Sequence, residues 1–179
     1  VDISHTDDGY CMVEYTGKSD KVKMQLVTPD ELTYTYTLHT GFETFALTGG
    51  DGTYHVMVFE HAHDDQYTTA LSEDFDVKIR DEFSPYLYPN QYVNFNAGCE
   101  TVAKGSELAK PCSSDLEVVT NVYDYCFENI TYDTRKAQSV ESGYVPDVDE
   151  ILHSGTGICF DYAAVMATML RSQRIPTRL

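Results

Sequence analysis

The 179-residue chain carries twelve Lys and Arg against twenty-nine Asp and Glu, a formal net charge of -17. That imbalance repels phosphate backbones and anionic headgroups at long range, which disfavours nucleic acid and an anionic membrane surface as partners. The length is enough to bury a core in one domain or two, and no apolar run approaches the length needed to cross a bilayer.

In chain order, Val1 opens without an initiator Met or a leader, which reads as a chain trimmed from a longer protein. The first eighty residues carry period-two patterns. Leu32, Tyr34, Tyr36 and Leu38 alternate with Thr33, Thr35 and Thr37, and Tyr54, Val56 and Val58 with His55, Met57 and Phe59. Phe75, Val77 and Ile79 make a third run. Alternation of aromatic and β-branched residues predicts strands, and the Gly, Pro, Asn and Asp clusters between them predict turns. Strands at this spacing without helical interruption predict an antiparallel β-sandwich over residues 1–82.

Pro85, Pro89 and Asn90 punctuate a Tyr-rich connector over 83–97, after which helical periodicity takes over. Ser114-Asp115-Leu116-Glu117 is a capping box. The helix it opens is expected to bury Leu116, Val119, Val122, Tyr123, Cys126 and Ile130 as one stripe. Asp147-Val148-Asp149-Glu150 starts a short helical turn, and a last helix is predicted from about Cys159 to Gln173, with Pro176 preventing its continuation.

Ser154 to Ala163 is the segment with chemistry. A glycine-containing loop, with Gly155 and Gly157, delivers Cys159 to the first turn of an amphipathic helix. There the unpaired amides and the positive end of the helix dipole favour a thiolate, and the same amides can donate to the oxyanion of a tetrahedral intermediate. Gly157, Ile158 and Thr156 form the oxyanion loop in this reading, and the Thr156 hydroxyl is a candidate helix cap. Asp161 and Tyr162 either line the site or pack beneath the loop. His153 is the only nearby base by sequence, but its place at the end of a helical turn makes it a capping or surface histidine. Arg171 and Arg178 are expected to hold the local fold through carboxylates.

The run Gly157-Ile158-Cys159-Phe160-Asp161-Tyr162-Ala163, followed by Leu170-Arg171 and Ile175-Pro176-Thr177-Arg178, resembles the nucleophile helix of the transglutaminase-like superfamily. Asn129 to Asp133 and Ser142 to Asp147 fit the same pattern upstream, so the resemblance spans residues 98–179. The front half resembles, more weakly, the Ig-like modules that precede such domains in bacterial surface proteins. The resemblance implies an α+β chain: an Ig-like sandwich, then the helical N-terminal part of a papain-like domain. It implies a Cys-His-Asp triad in which Cys159 attacks a carboxamide or peptide carbonyl, and a thioester is resolved by an amine or by water. No cofactor is implied, the substrate is a protein or peptide, and the setting is extracellular or cell-surface anchored. In the family the His and Asp follow the nucleophile helix, and no residue here matches either motif. The expectation is therefore a fragment that is inactive alone, with an exposed sheet edge inviting self-association. A cysteine peptidase of the same fold and a non-catalytic surface scaffold are the rival readings.

The other cysteines divide by position. Cys99 and Cys112 flank a twelve-residue stretch, and the sequence leaves open whether they are linked in an oxidising compartment. Cys126 reads as an inert core thiol, and Cys11 is unassigned. His61 and His63 share a strand face, but no third ligand is fixed by spacing, so no metal is expected. Asp51 belongs to a tight turn, and Asn129-Ile130-Thr131 is a glycosylation triplet that matters only in a eukaryote.

Overall fold

The computed structural model describes all 179 residues and resolves the chain into two compact units, Val1–Pro85 and Tyr86–Leu179. Residues 86–97, read from sequence as connector, lie inside the second unit.

The first unit is all antiparallel. Strands β1 (Tyr10–Tyr15) and β4 (Gly41–Ala46) pair with each other. Strands β2 (Val22–Val27), β3 (Thr33–Leu38), β5 (Gly52–His63) and β6 (Gln66–Val77) form a four-stranded sheet in the order β3-β2-β5-β6. Period-two alternation decides what is buried. Cys11, Val13 and Phe45 from one sheet share a single core with Val22, Met24, Leu26, Tyr54, Val56, Val58, Phe75 and Val77 from the other. Each fully buried aliphatic side chain of this kind contributes about 1.5–3 kcal/mol. Cys11 lies in the same core, and burial pushes its thiol up to about 12, so it is chemically quiet.

The polar outliers of this unit have structural partners. Asp51 accepts the Ile79 amide at 2.8 Å, which clamps the turn before β5 to the chain leaving β6. His61 Nε2 contacts the Asp64 carbonyl oxygen at 2.7 Å and packs edge-on against Tyr67.

The second unit contains α1 (Glu100–Ala109), α2 (Asp115–Asn129), α3 (Thr134–Ser139), α4 (Val148–Ser154) and α5 (Cys159–Ser172). A short parallel pair, β7 (Thr131–Tyr132) and β8 (Thr156–Gly157), ties the end of α2 to the loop before α5. The chain is thus α+β, with the antiparallel sheets in the first unit and the helices in the second. Helix α5 is the spine of its unit. Ala164, Val165, Met169 and Leu170 share a core with Val118, Val122, Cys126 and Ile130 of the α2 region and with Val148 and Ile151 of α4. Helix α1 crosses it at Gly105, where an added Cβ would lie 3.0 Å from the backbone of Met169.

Two expectations are corrected here, and one question the sequence left open is answered. The buried stripe of α2 is Val118, Val122 and Cys126, spaced four apart, while Leu116 (74% exposed) and Tyr123 (55%) face solvent. Val122, Cys126 and Ile130 are buried as expected and Val119 packs against the same core, so the departure is confined to Leu116 and Tyr123, whose places in the stripe apolar character alone suggests. Cys99 and Cys112 are free and stand beyond opposite ends of α1. A ten-residue helix is about 15 Å long, more than twice the Cα separation a disulfide tolerates. Arg171 and Arg178 do not use carboxylates. The buried Arg171 guanidinium donates to the carbonyl oxygens of Thr177 (2.7 and 3.0 Å) and Tyr88 (2.8 Å), and burial lowers it to about 10. Arg178 lies over the Tyr86 ring.

Candidate active site

Every helix leaves its first amides without intrahelical partners, and the chain between helices decides what becomes of them. In this unit they are mostly capped. Ser114 accepts the Glu117 amide at the start of α2. Asp133 accepts the Arg135 and Lys136 amides at the start of α3, and Asp147 accepts those of Asp149 and Glu150 at the start of α4. Helix α1 has no cap of its own at Cys99, but the Asp149 carboxylate arrives from α4 and takes the Glu100 and Thr101 amides at 3.1 and 2.8 Å, with the Thr101 hydroxyl at 2.7 Å.

Helix α5 differs. Its N-cap is Ile158, whose side chain carries no acceptor. Only the return half of a capping box forms: Asp161, in the first turn, turns back to accept the Ile158 amide at 2.8 Å. The amides at the start of α5 therefore have no side-chain acceptor, and they begin at Cys159, which is exposed to solvent. Thr156 is not the cap. It is paired in β8, and its hydroxyl donates to Ser154 Oγ at 3.4 Å, because two further residues separate it from the helix.

The junction is held from beneath. Asp161 is fully buried, and its two carboxylate oxygens accept from Lys136 Nζ (2.5 Å), the Tyr144 hydroxyl (2.7 Å) and the Ile158 amide. Lys136 also donates to the Tyr144 oxygen at 2.7 Å and lies 4.4 Å from the centre of its ring. Partial burial works against the Lys136 charge, but the bonds to Asp161 and Tyr144 outweigh it and hold the ammonium above the ordinary lysine range. Burial, together with the neighbouring carboxylate, raises the Tyr144 hydroxyl, so it is a neutral donor. Gly157 is required by contact: a Cβ there would lie 2.7 Å from Asp161 Cβ. Gly155 ends α4 in the left-handed region at φ 60.

Of the two residues left open by sequence, Asp161 packs and bonds under the loop. Tyr162 does the same from the next position, its hydroxyl donating to the Ile130 carbonyl and tying α5 to the end of α2. The sequence reading missed the partners of Asp161. Lys136 and Tyr144 are 25 and 17 residues away from it, and no local spacing announces them. Phe160, the residue after Cys159, meets Tyr92 edge-on at 5.5 Å and Tyr144 at 6.3 Å.

His153 is not turned to the thiol. Its Nε2 pairs with Glu100 Oε2 at 2.7 Å, and that bond raises its proton affinity. The second unit holds no other histidine.

Residues 103–179 match the Transglutaminase-like superfamily, and Cys159, Asp161, Lys136 and Tyr144 fall within the matched segment. No curated protein is a significant match to the chain. A crystal structure at 2.00 Å of a protein from Parabacteroides distasonis, provisionally described as a protease, aligns over 93% of this chain and 32% of its own. At 15% identity and a TM-score of 0.41 that likeness carries no argument, and this chain spans about a third of that protein's length.

Proposed function

We propose, from a second unit that carries a transglutaminase-like segment, that Cys159 is the nucleophile of a papain-like acyl-transfer enzyme. The observation that carries this reading is a solvent-exposed thiol at the start of a fourteen-residue helix whose first amides have no side-chain acceptor. The sulfur adds to a carboxamide or peptide carbonyl carbon, and the amides at the loop-helix junction receive the oxyanion. Collapse breaks the carbon–nitrogen bond, releases an amine or ammonia that takes up a proton, and leaves a thioester. Water or a second amine then attacks the thioester and restores the thiol. The proton acceptor in this scheme is a histidine other than His153, which is committed to Glu100.

A p-nitrophenyl ester isolates the part of the mechanism that these residues supply, because nitrophenolate leaves without being protonated. Incubation should release a stoichiometric burst and place the acyl group on Cys159, and Cys159→Ser should abolish both. Acylation spread over Cys99 and Cys112, or a burst that survives Cys159→Ser, would overturn the assignment.

The first unit fits an immunoglobulin-like accessory module. Its order β3-β2-β5-β6 beside β1-β4 corresponds to C′-C-F-G facing B-E. On this reading it presents or anchors the catalytic unit and takes no part in the chemistry.

A further inference from the structure

A buried carboxylate two residues from a nucleophilic thiol is a hazard, since a like charge disfavours the thiolate. Asp161 is such a group, with no exposure at all, and its position is not optional. It accepts the Ile158 amide, and Gly157 is pressed against its Cβ, so the turn that presents Cys159 is folded around it. What offsets the charge comes from another element. Lys136, on α3, reaches Asp161 Oδ2 at 2.5 Å, and the Tyr144 hydroxyl bonds the other carboxylate oxygen. Lys136 is placed by α3, which is itself capped by Asp133 through the Lys136 amide.

We infer that Lys136 is a positioning residue for Cys159: it fixes and neutralises the carboxylate around which the nucleophile loop is built, so that the thiolate forms beside an ion pair and not beside a bare anion. This rests on the reading of Cys159 as nucleophile. Lys136 touches neither the sulfur nor substrate in this account. Its effect passes through Asp161.

The test is the rate at which iodoacetamide labels Cys159 in the whole 179-residue protein at neutral pH, followed by peptide mass spectrometry with Cys99 as internal reference. Lys136→Met should slow Cys159 about tenfold while Cys99 changes less than twofold. Lys136→Arg, which keeps the cation, should stay near wild type. Lys136→Met combined with Asp161→Asn removes both charges and should recover most of the rate. A purely structural Lys136 would not be rescued by deleting its partner. A wild-type rate in Lys136→Met, or a double variant as slow as the single, would overturn the inference. Should Lys136→Met unfold, seen as labelling of the buried Cys126, Asp161→Asn alone decides. It leaves the cation in place without the anion, so faster labelling of Cys159 supports the inference and slower labelling overturns it. Wild-type protein in which Cys159 reacts no faster than Cys99 would sink the nucleophile assignment and this inference together. A fast wild-type Cys159 with an unaffected Lys136→Met would sink this inference alone.

Discussion

Two helices of the second unit begin beside a cysteine and use their first amides in opposite ways. Cys99 is the N-cap of α1, and Cys159 is the first residue of α5. At α1 the Asp149 carboxylate consumes the Glu100 and Thr101 amides, and Cys99 sits in a groove with Asn94, Phe95 and Val145. At α5 the Asp161 carboxylate turns to the Ile158 amide and is balanced by Lys136. The same local ingredients, a thiol and a helix start, give a capped structural junction in one place and an anion-receptive one in the other. What separates them is where one carboxylate points.

Removing Asp161 should have the largest effect. Asp161→Ala leaves the Lys136 ammonium without its partner and the Ile158 amide without an acceptor. Loss of one member of a buried pair costs about 3–5 kcal/mol, and Lys136 is 28% exposed, so we expect about 3 kcal/mol, read by urea denaturation. Gly157→Ala attacks the same junction sterically, through the 2.7 Å approach to Asp161 Cβ, and should cost about 1–3 kcal/mol in the same measurement.

Asp149→Ala sharpens the comparison from the other side. It uncaps α1, costs about 1 kcal/mol, and should make Cys99 react faster by freeing the amides beside it. Burial works against the Asp149 charge, but the amide and hydroxyl of Thr101 hold its carboxyl below the ordinary value of 3.8. A lowered carboxylate stabilises the fold above that value and loses its contribution as pH falls through the folded-state value beneath it. The difference in melting temperature between wild type and Asp149→Ala should therefore be full at pH 6 and shrink below about pH 4. At the small end, Phe127→Gln removes a side chain that is 74% exposed on the outer face of α2, and should change stability by less than about 0.5 kcal/mol.

The sequence made part of this comparison legible. Strands β3, β5 and β6 announce themselves through Tyr, Thr and Val alternation. Strand β2 carries the same signal in Val22, Met24 and Leu26 against Lys23 and Gln25, and could have been found by period alone. The caps Ser114 and Asp147 and the start of α5 at Cys159 are local patterns, so they were readable. The reach of Asp149 from α4 to the start of α1 and that of Lys136 to Asp161 beneath α5 were not, because each acts across 25 or more residues and depends on how the helices pack. Arg171 shows the same limit. Its charge invited a carboxylate, but the fold closes backbone carbonyls around it.

The central claim is that α5 keeps its first amides for a substrate oxygen while its thiol stays open to solvent. The order in which the native thiols react with iodoacetamide tests it most directly. Cys11 and Cys126, both buried and both raised to about 12, should be silent, Cys99 and Cys112 slow, and Cys159 at least tenfold faster than either of these. Cys159 reacting no faster than Cys99 would show that the two helix starts are equivalent and would contradict the account.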